Sequence, residues 1–104
     1  MSKRLELFDK LIAGGSSDPF HHYARAMELR SLGQAEAALL GFSAACAQFS
    51  DYVPSYLMAA QLAQELGQLA AARSHASAGV EAATRTGNEH ALSELTALLD
   101  ALPD

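Results

Sequence analysis

The chain repeats itself at a spacing of 34 residues. Leu32-Gly33-Gln34 recurs as Leu66-Gly67-Gln68, Ala26 as Ala60, Ala37-Ala38 as Ala71-Ala72, and Ser43-Ala44 as Ser77-Ala78. A period in this range marks stacked supersecondary units, each too small to bury its own apolar face. Most matched residues are small and gather near a shared glycine, which points to helices in close approach. Composition agrees: 22 Ala and 16 Leu stand against one Ile, two Val and three Thr. Ala and Leu favour helix, whereas strands are built from β-branched and aromatic residues. A chain of 104 residues suits one core. The expected fold is a single all-α domain.

The helices are legible around the repeated glycines. Asp18-Pro19 is a start signal, an acceptor for free N–H groups followed by a residue suited to the first turn. The helix it opens runs to about Leu32, with His22, Ala26 and Leu29 on one stripe, and Gly33 breaks it. A second helix over about Gln34–Gln48 carries Ala38, Phe42, Ala45 and Phe49 at helical spacing. Val53-Pro54 opens a third, ending near Leu66, with Tyr56, Ala59, Ala60 and Ala63 inward. Gln68 to about Thr84 forms a fourth, with Ala72, Ala76, Gly79 and Val80 inward. Gly79 inside a helix costs about 1 kcal/mol against Ala, and a close helix crossing would explain it.

Two flanking helices complete an expected total of about six. Lys3–Ala13 carries Leu5, Phe8, Leu11 and Ile12, and Phe8 falls where Phe42 falls one period later. At the other end Glu89–Leu102 carries Leu92, Leu95, Leu98 and Leu99. That stripe fits the first helix of a unit only if the preceding loop gained about two residues; strict spacing would bury Ser93 and Glu94.

A 34-residue helix–turn–helix unit resembles the tetratricopeptide (TPR) repeat. The family's pattern of large and small positions maps onto His22, Arg25, Ala26, Leu29, Ala38, Phe42 and Ala45 in residues 19–52. It maps onto Tyr56, Ala59, Ala60, Ala63, Ala72, Ala76 and Gly79 in residues 53–86. The sequence departs from the pattern at Ser50 and Thr84, where a proline is common, at His22, where an aromatic opens the repeat, and at Arg25, where an apolar residue is usual. The resemblance implies antiparallel helix pairs in a right-handed α-solenoid, with residues 3–13 and 89–102 as capping helices. Two full repeats are fewer than the three usually needed, so both flanks are expected to be required.

The resemblance also implies a concave groove, lined by the first helix of each pair, that takes a peptide or a partner helix. On this chain it would display Phe20, Tyr23, Met27 and Arg30, then Leu57, Gln61, Gln64 and Glu65, with Ser93, Ala97 and Asp100 added by the last helix. The basic clamp with which some family members bind chaperone carboxylates needs Lys and Asn where this chain has Tyr23, Met27, Leu57 and Gln61, so that function is rejected. Tyr23 and Met27 have a second reading, as residues packed against the N-terminal helix or a neighbouring molecule. The alternative function is self-association: Leu98, Leu99 and Leu102 would be surplus to the core and covered in a homodimer.

Other classes lack their residues. The net charge is −5 and the seven basic residues are scattered, so no face suits phosphate neutralisation and no nucleic-acid partner is expected. No apolar stretch approaches the roughly 18 residues that cross a bilayer, and no membrane partner is expected. Glu6, Asp9 and Lys10 interrupt the apolar start of the chain, unlike an export signal, and Cys46 is the lone cysteine. Both point to the cytoplasm. No histidine lies three or four residues from another, so no metal and no other cofactor is expected. His22 and His90 read as half-buried packing residues, His75 as exposed, and Cys46 as a small buried residue. Nothing arranges a nucleophile, base and oxyanion site, so no enzyme is expected.

Overall fold

The computed structural model describes residues 2–103. Six helices run through them: α1 (Lys3–Ala13), α2 (Pro19–Ser31), α3 (Ala35–Gln48), α4 (Pro54–Glu65), α5 (Leu69–Thr86) and α6 (Glu89–Ala101). There is no strand among the described residues.

Local chemistry sets most of the ends. Ser2 accepts from the Leu5 N–H at 3.0 Å, Asp18 from Phe20 at 2.9 Å, and Asn88 from Ala91 at 3.0 Å. Pro19 and Pro54 occupy first turns, where no N–H is missed. Four turns share one device. Gly15, Gly33, Gly67 and Gly87 adopt positive φ, between 72° and 89°. The residue after each glycine then donates its N–H to a carbonyl five positions back: Ser16 to Leu11, Gln34 to Leu29, Gln68 to Ala63, Asn88 to Ala83. This is the Schellman reversal, and it returns the chain antiparallel to the helix it leaves. The repeated Leu-Gly-Gln is thus a repeated turn. The two copies also touch, since the Gln68 amide donates to the Glu36 carboxylate at 3.3 Å.

Consecutive helices pack in order, and α6 also returns to α4. The core is thin in side-chain volume and dense in helix contact. Its largest fully buried apolar residues are Phe42, Leu62 and Leu95, surrounded by Ala26, Ala38, Ala59, Ala60, Ala63, Ala72, Ala76, Ala82 and Ala83. Alanine on both sides of a crossing lets backbones approach, and dispersion across that close contact replaces bulk. Gly79 is the extreme case: an added Cβ would lie 2.8 Å from Tyr56 Cβ and 2.9 Å from Leu95 Cδ2. The close crossing expected there is present, with α5 wedged between α4 and α6.

The polar turns are tied across repeats as well. Tyr56, buried in α4, donates its hydroxyl to the Ser50 carbonyl at 2.8 Å. Arg85, near the end of α5, reaches the same carbonyl at 2.9 Å and pairs with Asp51 at 2.8 Å.

Four expectations in α5 and α6 need correction. The loop before α6 has not lengthened; α5 has. It runs to Thr86, whereas α3 shifted by one period would end at 82 (48 + 34), and only Gly87 and Asn88 separate α5 from α6. No breaker stands between Val80 and Gly87, so past Gly79 the helix continues until the next glycine. Ser93 and Glu94 stay exposed and Leu95 is buried. Leu102 is not surplus: the backbone turns extended there (φ −74°, ψ 139°), the side chain is buried, and Leu98 and Leu99 pack half-buried against the core. His90 is exposed rather than half-buried, and His75 is half-buried rather than exposed.

Candidate interaction face

The expected groove residues lie on two helices and divide into distinct environments. On α2, Phe20 is 51% exposed, the most open Phe or Tyr among the described residues. Tyr23 is half-buried, its ring centroid 5.8 Å from both Phe42 and Tyr52. Met27 is half-buried against the core. Together with Arg4, Phe8, Ala24, Glu28 and Ser31 these three line a cleft of about 380 Å³ between α1 and α2. Tyr23 and Met27 therefore pack internally, Tyr23 on Phe42 and Tyr52, and also line the cleft beside α1.

The remaining residues do not join this cleft. Arg30 reaches across to α4 and pairs with Glu65 at 2.8 Å. Leu57 is half-buried against the core, Gln61 is half-buried, and Gln64 is exposed. Ser93, Ala97 and Asp100 on α6 are exposed. The Arg30–Glu65 pair joins the C-terminal ends of α2 and α4. Arg30, the one cation among the expected groove residues, therefore already has a partner.

Residues that were not expected in the groove complete the cleft. Phe8 and Arg4 supply the α1 wall; Phe8 was legible in the apolar stripe of α1, and α1 beside Tyr23 and Met27 was one of the two expectations for those residues. Glu28, with its side chain only 13% exposed, accepts from Ser2 Oγ at 2.6 Å and lies 4.0 Å from Arg4. His21 closes the end: its ring is 6.4 Å from Phe8 and 6.5 Å from Phe20, and Nδ1 pairs with Ser16 Oγ at 2.7 Å. A second shallow cleft of about 410 Å³ adjoins the start of α2, lined by Pro19, Phe49, Ser50, Asp51 and Tyr52. Burial, with Tyr23 and Asp18 nearby, pushes the Tyr52 hydroxyl above its ordinary pKa, so it is a neutral donor at neutral pH. All seven Phe and Tyr of the chain fall between residues 8 and 56, so every one of these rings belongs to α1 through α4 and the loop between α3 and α4.

Arg25, which departs from the repeat pattern, is explained by α1: its guanidinium pairs with Asp9. His22 is half-buried, as expected, with its ring 4.8 Å from Phe49 and Nε2 donating to the Ser16 carbonyl at 3.2 Å. Cys46 is buried, and desolvation pushes its thiol pKa up to about 12, which keeps it a protonated, inert thiol. Among the described residues no three metal-binding side chains come together. No helix there is long and apolar enough to cross a membrane.

This geometry has close counterparts among solved structures. A tetratricopeptide repeat domain protein from Salinibacter ruber, solved by NMR in solution, is 31% identical, with a TM-score of 0.75 over 80% of this chain and 84% of that one. A crystal structure of a tetratricopeptide repeat domain protein from the same organism gives 32% identity and a TM-score of 0.74 over 79% and 92%. The chain belongs to the tetratricopeptide repeat family. PcrH, solved in complex with the chaperone binding region of PopD, shares the fold at 22% identity, with a TM-score of 0.83 over 93% of this chain and 74% of PcrH. No family model and no curated protein matches the sequence.

Proposed function

We propose that this TPR chain is a protein-interaction module, with α2–α3 and α4–α5 as its two repeats (residues 19–52 and 53–86) and α1 and α6 as the helices that cap them. A peptide or partner helix docks on the side displayed by α2 and α4, with an apolar side chain seated in the cleft of Phe8, Phe20, Tyr23 and Met27. The observation that carries this is the cleft itself. An aromatic half exposed beside a methionine and two further rings is surface that folding alone does not use, and aromatic anchors of this kind dominate interface energetics. Support comes from PcrH, which holds a segment of another protein on the same fold. Gln61 and Gln64 extend the face with amides suited to peptide backbone.

The test is peptide selection from a random library against the full chain, followed by affinity measurement on variants. Phe20→Glu keeps a residue suited to the first helical turn while placing a charge in the cleft. It should weaken the selected peptides roughly tenfold or more. Leu40→Glu, on α3 at a side chain 73% exposed, should leave affinity unchanged. The reverse pattern would remove the binding site from α2.

A further inference from the structure

The N-terminal helix is held differently from the other five. It contains no buried residue, whereas each other helix contains at least two. It packs against α2 through Leu5, Phe8, Leu11 and Ile12, all only half-buried. Five of its eleven residues are charged: Lys3, Arg4, Glu6, Asp9 and Lys10. Its fasteners are polar and near the surface, namely Ser2 to Glu28, Arg4 to Glu28 and Arg25 to Asp9. The Arg25–Asp9 pair and the Arg4 end of its pair are exposed and hold weakly; the Ser2–Glu28 bond alone is partly buried.

The packing around it is also open on both long edges. One edge borders the Phe8–Phe20 cleft. The other borders two more, of about 330 Å³ beside His22, Arg25 and Ala44, and about 360 Å³ beside Leu32 and Gln34. The tether to α2 is Gly14-Gly15-Ser16-Ser17-Asp18. Meanwhile the fully buried Phe42, Leu62 and Leu95 all lie in α3, α4 and α6. Segments with few buried contacts open separately, below the free energy of global unfolding.

We propose that α1 leaves α2 as a unit while α2–α6 stay folded, so that the Phe8 wall of the aromatic cleft is a movable one. The cleft then exists only in the docked state, and whatever sits between Phe8 and Phe20 draws the equilibrium toward that state. The opening belongs to the free chain and does not depend on the binding function.

Hydrogen exchange on the full chain, without ligand, tests it. Amides of residues 7–14 should exchange at least about tenfold faster than the slowest amides of α4 and α5, through an opening whose denaturant dependence is measurable but smaller than that of global unfolding. Phe8→Ala should speed the α1 amides a further several-fold to roughly tenfold and leave the slowest α4 and α5 amides unchanged. Equal protection in α1 and α4, an equal acceleration of both by Phe8→Ala, or no acceleration of α1 would each overturn the proposal.

Discussion

Gly79 shows how one residue sets the spacing of three helices. Its helix propensity argues for alanine by about 1 kcal/mol, yet the site has no room for a methyl group. A Cβ there would meet Tyr56 Cβ at 2.8 Å, and Tyr56 cannot move without losing its bond to the Ser50 carbonyl. Gly79→Ala should therefore destabilise by about 1–3 kcal/mol, measured by denaturant melts, despite the better helix former. A gain in stability would mean that α4, α5 and α6 are less closely packed than described. The residue scale is also where the sequence was least informative about the candidate site. Phe20 could be placed on the surface from its position in the helix. Tyr23 could not be placed, because the rings that receive it, Phe42 and Tyr52, come from other elements. Nor does any periodicity show that Leu102 is turned back into the core, since it lies where the backbone leaves the helix.

At the scale of elements the sequence was far more explicit. Each turn that closes on Gly15, Gly33, Gly67 or Gly87 was marked by that glycine, and α1, α2 and α6 also begin at a residue whose side chain caps them. The α5 helix runs two residues past its expected end near Thr84, because no breaker stands between Val80 and Gly87. That extension carries Arg85 to Ser50 and Asp51, fastening the end of the second helix pair to the loop before it. The α6 helix completes the core by covering Gly79 with Leu95, and Leu102 closes beside it. Burying each leucine contributes about 1.5–3 kcal/mol, a large part of the margin of a small domain. Ending the chain after Thr86 should abolish the cooperative thermal transition seen by circular dichroism. A truncated chain that still melts cooperatively would show that α6 is an accessory.

The whole molecule is a flattened stack, 39 × 29 × 18 Å, with its aromatic surface at the α1–α2 end and a polar outer face on α6. Its stability should respond to pH through His75. Burial lowers the His75 pKa in the folded state below the ordinary imidazole value near 6.5. The unfolded chain then takes up that proton first as pH falls, so this contribution is present above about 6.5 and is lost as pH falls toward the lower folded value. Tm should decline over that interval, and His75→Gln should flatten the decline; an unchanged slope would show that His75 is solvated. The central claim is that partners meet the α2 side of this stack. The most direct measurement is amide chemical-shift mapping of a library-selected peptide titrated into the full chain. The account predicts shifts concentrated at Arg4, Phe8, Phe20, Tyr23 and Met27 and reaching Gln61 and Gln64. Shifts concentrated instead on the exposed side of α3 and α5, around Leu40, Ser74 and Ser77, would contradict it.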